Sequence, residues 1–395
     1  MKQAAAPAAT LQHILNQYSF TAQTDYNKTV LEKLKICRTK ALGYHLYKCA
    51  DEQCAAYKYQ YHSCRNRHCP ACGALQKKQW VEDRKRELLP ISYYHVVFTI
   101  PHDLNSIIPG NRKQLYALLF KAASATLLQF GSDSNYLGAQ PGILCVLHTW
   151  GQQLSFHPHL HCIVSGGGVV KKTNSRSDKD LYWKNCIRKN NNFLFPVKAL
   201  SAVYRALFLK ELKQLISTKI IALTAAQQNQ LPSLINTLYK EQWVVYAKKP
   251  FGGPQQVLQY LAAYTHKVAI SNHRIISACN DKVTFTYKDY RNGNKQKQMN
   301  LPATEFLRRF EQHILPKGFT KIRTYGYLAN RGRTALLNQI TAALKLPAHP
   351  QKIKQPWQLL LYEMYGVRYN ECPCCKKTSL LLIKTVFREI ELDST

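Results

Sequence analysis

Three histidines at alternate positions, His157, His159 and His161, followed by Gly166-Gly167-Gly168, constrain the chain more than any other feature. On an extended strand alternate residues share a face, so all three imidazoles project to one side. Ring nitrogens gathered at one point suit a divalent metal or a phosphate. The strand is expected to end at the three glycines. Far downstream, Tyr260 and Tyr264 lie in a segment opened by Gly252-Gly253-Pro254, a helix-start signal. Four apart on a helix, they share a face. A histidine strand and a helix with two tyrosines are the parts a DNA strand-nicking enzyme requires.

The charge supports that direction. The 395 residues carry 55 Lys+Arg against 22 Asp+Glu, a net +33, spread along the whole chain. Basic side chains in such excess displace the counterions condensed on nucleic acid, although charge does not separate DNA from RNA. The length allows two or three domains. The pattern suggests a helix and zinc-binding, DNA-docking domain over 1–90, a catalytic domain with the tyrosine helix over 91–300, and a basic C-terminal region over 301–395. No apolar run is long enough to span a bilayer, and the first residues lack a signal-peptide core. The expectation is a cytoplasmic, nucleoid-associated protein with no membrane partner and an open oligomeric state.

Disulfides are rare in the cytosol, so the thirteen cysteines point to metal. Cys49-x4-Cys54 followed by Cys69-x2-Cys72 has the paired layout of a structural Zn²⁺ site. Cys37, His45, Cys64 and His68 form a leftover set that could hold a second zinc; alternatively Cys37 packs in a core while the two histidines meet phosphates. Cys372-Pro373-Cys374-Cys375 offers a single pair with its partners undefined. Arg65 and Arg67 sit inside the cysteine cluster as candidate DNA contacts.

Helical spacing marks 10–35, 76–89, 111–130 and 199–216. Strand-type runs occupy 93–100, 143–150 and 243–246, with a hairpin-like pair over 268–276 and 282–287. Long helices with hairpin-type strands indicate an α+β fold: an antiparallel sheet with helices packed on it, a small N-terminal zinc-binding domain and a helical C-terminal region. A catalytic metal at His159 and His161 would polarise a scissile phosphate. Phosphate oxygens are hard ligands, so Mg²⁺ or Mn²⁺ is expected. Gln152, His157 and His95 compete as third ligand, with Gln152 preferred because a turn near Leu154 could fold its amide onto the strand. Tyr260 and Tyr264 are the candidate nucleophiles, able to form a phosphotyrosine that preserves the phosphodiester's energy for rejoining. Lys248, Lys249, Lys267 and Arg274 flank their helix and are expected to hold phosphates.

Several long motifs now converge. They are Ser63-Cys64-Arg65-Asn66-Arg67-His68-Cys69-Pro70-Ala71-Cys72, His95-Val96-Val97-Phe98-Thr99-Ile100-Pro101, Thr149-Trp150-Gly151-Gln152 with the histidine run, and Tyr260-Leu261-Ala262-Ala263-Tyr264 with the residues that follow. Glu305-Phe306-Leu307-Arg308-Arg309-Phe310 and Tyr325-Gly326-Tyr327-Leu328-Ala329-Asn330 extend them, so the likeness runs almost end to end. Together they resemble transposases of the insertion-sequence ninety-one type, within the HUH (histidine, hydrophobe, histidine) nuclease superfamily. The resemblance implies an HUH antiparallel sheet, His159 and His161 as the HUH pair, and Tyr260 and Tyr264 as nucleophiles. It also implies rolling-circle-like transposition through 5′-phosphotyrosine intermediates, with single-stranded DNA at transposon ends and target DNA as partners. Two rival readings are a histidine-triad-type nucleotide hydrolase and a non-catalytic zinc protein that binds nucleic acid. Neither accounts for the histidine strand and the tyrosine pair together.

Overall fold

The apolar positions of the strand-type runs sort onto opposite faces of extended chain, and the fold is built on that sorting. In the computed structural model, which describes residues 9–171, 181–186, 194–248, 253, 256–257, 260, 268–347 and 355–388, the strands are β1 (Gly43–Cys49), β2 (Tyr57–Tyr61), β3 (Tyr93–Thr99), β4 (Gln140–Trp150), β5 (Phe156–Lys171), β6 (Leu181–Asn185), β7 (Val245–Lys248), β8 (Ile275–Cys279), β9 (Lys282–Asp289), β10 (Lys295–Pro302), β11 (Ile322–Gly326) and β12 (Leu380–Phe387). They form three antiparallel sheets. The central one runs β11-β4-β5-β3-β7, with β6 also on β5; the others run β12-β1-β2 and β10-β9-β8. The protein is α+β, with a cysteine-rich N-terminal module.

One face of the central sheet is apolar. Phe98, Leu160, Cys162, Val164, Cys145 and Leu147 pack there against the two long helices Arg112–Ser132 and Val197–Ser217. Fully buried Phe120, Tyr204 and Phe208 anchor those helices; burying a side chain of that size contributes about 1.5–3 kcal/mol. The opposite face carries the histidines.

The three glycines do not end β5. Hydrogen-bonded pairing with β6 continues through Gly167 and Gly168 to Lys171. A Cβ at Gly167 would stand 2.5 Å from the Trp183 ring, and one at Gly168 would stand 2.6 Å from the Gln140 carbonyl oxygen. The glycines admit close neighbours to a continuing strand rather than breaking it.

Residues 301–395 contribute to two sheets: β11 is an edge of the central sheet and β12 pairs β1, while among the described residues there Ala303–Glu311, Arg333–Ala343 and Trp357–Tyr365 are helical. The N-terminal helices Leu11–Gln17 and Asp25–Lys35 likewise share one buried cluster with Ile270, Phe285, Phe306 and Phe310. The expected strand over 268–276 is shorter, since a 3₁₀ turn at Asn272–Arg274 precedes β8.

Behind the β4–β5 turn sits buried His313. Its Nδ1 accepts from Thr149 Oγ1 and its Nε2 donates to the Leu154 carbonyl, both at 3.2 Å. Leu154 has a positive φ of 56°, so this bond holds a turn that its backbone would not favour. Burial draws the His313 pKa down to about 4. The unfolded chain takes up that proton near 6.5 and therefore holds more protons between the two values. Stability should thus fall as pH drops from 6.5 to about 4, by about 3 kcal/mol from this residue alone. Urea unfolding of the wild type and His313→Gln at pH 7 and 4.5 checks this. The variant should lose less stability over that interval, and an equal loss would assign the effect to other groups.

Candidate active site and metal centres

The short turn between β4 and β5 fixes their register: His148 lies opposite His159, and Val146 opposite His161. Residues directly opposite share a face, so His148 joins the histidine face. One ring nitrogen from each of His148, His159 and His161 falls in a group within 4.8 Å. His159 Nδ1 donates to the His157 carbonyl at 2.6 Å, which leaves Nε2 as its lone-pair nitrogen. That Nε2 stands 3.1 Å from His161 Nε2. With the His161 hydrogen on Nδ1, two lone pairs would face each other there, an arrangement that a shared cation would stabilise.

His148, and not the expected Gln152, is the side chain grouped with His159 and His161. The Gln152 Nε2 donates instead to the Tyr290 hydroxyl at 3.0 Å, across the cleft. His157 supplies the backbone carbonyl that orients His159, and burial lowers its own pKa. His95 lies on the far side of His161, with its Nε2 at 3.0 Å from His161 Nδ1. The signal for His148 was present in the sequence: a hairpin folding about residues 151–155 sets it across from His159.

Tyr260 approaches the same point from another element. Its hydroxyl is 2.6 Å from His95 Nε2 and 2.9 Å from His161 Nδ1. Val257, one turn earlier, is buried among Tyr93, Leu144, Val146 and Ile163 of the sheet, which seats the segment. Tyr264, Lys249 and Lys267 lie outside the described residues. The Lys248 backbone pairs with His95 at the end of β7. Beside the histidines opens a cleft of about 720 Å³ whose walls include Trp150, Arg274, Lys288 and Tyr290. Arg274 donates to the carbonyls of Thr286 and Gln152, at 2.8 and 2.5 Å, and so ties the β8–β9 hairpin to the β4–β5 turn.

The cysteines group differently from the sequence expectation. Cys37, Cys64, Cys69 and Cys72 converge, with Sγ–Sγ distances of 3.2 Å for Cys37–Cys72 and 3.6 Å for Cys64–Cys72 and Cys37–Cys69. Hydrogen bonds from Cys64 and Cys69 draw the Cys37 thiol down to about 7. Four soft sulfur donors this close suit a tetrahedral Zn²⁺. Cys49 and Cys54, expected beside Cys69 and Cys72, sit elsewhere, near Cys372 and Cys375. The reason is topological: β1 carries Cys49 away from the Cys64–Cys72 loop and pairs with β12. His45 and His68 join neither group. His45 Nδ1 bonds Thr385 Oγ1 at 2.9 Å, and His68 Nε2 accepts from the Leu315 amide at 3.3 Å. Burial lowers the His68 pKa to about 3, which keeps it neutral.

Of the proposed DNA contacts in the module, Arg67 spends its guanidinium on the Phe319 and Pro316 carbonyls, at 2.5 and 3.1 Å. Arg65 is exposed. A feature that sequence reading did not resolve is the ladder on β2: Tyr57, Tyr59 and Tyr61 share one exposed face, with Lys48 of β1 beside Tyr57.

Comparison with known proteins agrees with this architecture. Residues 9–100 match the family described as "Transposase zinc-binding domain", and residues 142–335 match the family described as "Putative transposase". "Putative transposase y4qJ" of Sinorhizobium fredii is 40% identical over 375 residues, covering 92% of this chain and 90% of that protein. The transposase for insertion sequence element IS801 of Pseudomonas savastanoi pv. phaseolicola is 29% identical over 335 residues, covering 82% and 75%. No solved structure matches. With a zinc-binding module, a histidine-lined cleft and relatives aligned over nearly its whole length, the chain belongs to the insertion-sequence ninety-one type transposases.

Proposed function

We propose that this transposase nicks and rejoins single-stranded DNA at transposon ends and targets, with Tyr260 as the initiating nucleophile and Tyr264 as the second, in rolling-circle-like transposition. The observation that carries the reading is the Tyr260 hydroxyl, held against the histidine cluster at 2.9 Å from His161 Nδ1. A structural tyrosine would not need to end on that nitrogen. His148, His159 and His161 would hold the divalent ion, which when bound polarises the scissile phosphate and offsets charge on its oxygens. Three imidazoles form a softer set than Mg²⁺ prefers, so Mn²⁺ fits these residues better.

The protein's own groups can manage the proton. With Nε2 turned to the metal position, His161 carries hydrogen on Nδ1 and donates to the Tyr260 oxygen. His95 Nε2, at 2.6 Å, accepts the phenol proton as the oxygen attacks phosphorus. The bond to the 3′ oxygen breaks, that oxygen takes a proton from solvent and leaves as a 3′-hydroxyl, and the 5′ phosphate stays on tyrosine. Rejoining reverses these moves from a new 3′-hydroxyl. Lys288 and Arg274 on the cleft wall, together with Lys248, Lys249, Lys267 and Arg65, would hold the strand's phosphates. The tyrosine ladder on β2 offers rings for bases to stack on. The histidine-triad hydrolase is not favoured, because it gives Tyr260 and the cysteine module no role. A non-catalytic zinc protein leaves the converging histidines unexplained.

Denaturing gels with labelled single-stranded transposon-end DNA test the reading. A covalent adduct should form with Mn²⁺ and vanish with EDTA. Tyr260→Phe should remove the initiating adduct, and an unchanged adduct in that variant would sink the assignment. His148→Ala should raise the Mn²⁺ requirement at least about 10-fold, whereas Gln152→Ala should leave it nearly unchanged; the reverse order would restore Gln152 as ligand. Affinity for single-stranded DNA should fall with salt at a log–log slope of roughly −0.7 per phosphate neutralised, and a flat response would assign the +33 charge to another purpose.

A further inference from the structure

We infer that Cys49, Cys54, Cys372 and Cys375 form a second structural zinc site, which clasps the far end of the chain to the N-terminal module. The four Sγ atoms lie within 4.8 Å of one another. Cys49–Cys375 and Cys54–Cys372 are each separated by 3.7 Å. Four sulfurs about 2.3 Å from a central Zn²⁺ give a tetrahedron with edges of about 3.8 Å. A disulfide would need about 2.05 Å, so the spacing belongs to metal-bridged thiolates.

The local backbone repeats the form of the first cluster. There, Arg38, Arg65 and Gly73 follow Cys37, Cys64 and Cys72 with positive φ angles of 57°, 51° and 83°. Here Ala55 and Lys376 follow Cys54 and Cys375 with φ of 45° and 63°. Non-glycine residues rarely adopt that region without a compensating interaction. A tight turn after each pair's second cysteine aims both thiolates at one point, and bound metal supplies the compensation.

The surroundings complete the clasp. Cys372 is fully buried and Cys49 nearly so. Ser379 Oγ lies 3.0 Å from Cys49 Sγ, placed to donate to a thiolate. An ion pair between Asp51 and Lys377 joins the two turns. The backbone follows suit: the Ala50 amide donates to Ser379 at 2.8 Å, and β12 pairs β1 from Cys49–Leu380 to Gly43–Phe387. Residues 49–54 offer two ligands and residues 372–375 the other two, so neither half closes a site alone. The sheet that presents the tyrosine ladder is completed only when β12 docks.

The test uses the full-length protein and two readouts. Native mass spectrometry should find two zinc ions per chain in the wild type and one in the Cys372→Ser/Cys375→Ser variant. In case the variant does not fold, the wild type is also alkylated and mapped by peptide mass. The exposed Cys374 and Cys279 should react at once. Cys49, Cys54, Cys372 and Cys375 should stay protected until a chelator is added, then react together. A single zinc per chain, iron in place of zinc, a Cys49–Cys375 disulfide, or protection unaffected by chelator would each overturn the proposal.

Discussion

The register between β4 and β5 is the constraint on which the site depends. A one-residue slip would turn every side chain of β5 to the other face. His159 and His161 would then enter the apolar core beneath the long helices, and Leu160 and Cys162 would face the cleft. Burial prevents the slip: Cys145 and Cys162, opposite each other in the register, are both fully buried on the helix side. The histidine face is thus fixed by hydrophobic packing on the opposite face, where helices Arg112–Ser132 and Val197–Ser217 cover the sheet.

That arrangement also explains how distant segments meet. Tyr260 reaches His161 because Val257 buries itself on the histidine face among Leu144, Val146 and Ile163. The apolar half of that face grips the helix, and the polar half receives the phenol. The same logic holds at the turn between β4 and β5, where Arg274 from the neighbouring sheet bonds the Gln152 carbonyl. The cleft wall therefore belongs to a second sheet, and its position is set by contacts to the loop between the two histidine-bearing strands.

The histidine strand was legible because alternation is a local property, and so were the long helices, whose apolar spacing lies within a single segment. What depended on long-range pairing was not. His148 joins the histidine group only through the hairpin register. The cysteine spacings suggested one pairing, Cys49 and Cys54 with Cys69 and Cys72, whereas β1 carries the first pair to a partner more than three hundred residues away, at Cys372 and Cys375. Spacing shows which cysteines share a turn; it does not show which turns share an ion. Gly166 to Gly168 misled for a related reason. Glycine weakens strands in general, but here the close approach of Trp183 and the Gln140 backbone requires it.

The chain separates its ligands by chemistry as well as by position. Thiolates gather in groups of four, shielded by β-strands and short turns, and four ligands close a tetrahedron with no position left for substrate. Imidazoles gather in a group of three at the edge of an open cleft, and three ligands leave positions for phosphate oxygens and water. Sulfur binds zinc tightly enough to organise a small sheet with few core residues. Under the proposed function, the nitrogens would hold a divalent ion loosely enough to let phosphate oxygens compete. The cysteine groups can therefore shape the surface that carries the tyrosine ladder without touching the histidines, and a defect in one should be separable from a defect in the other. Under the same function, the +33 charge would act on both, drawing DNA towards the ladder and the cleft.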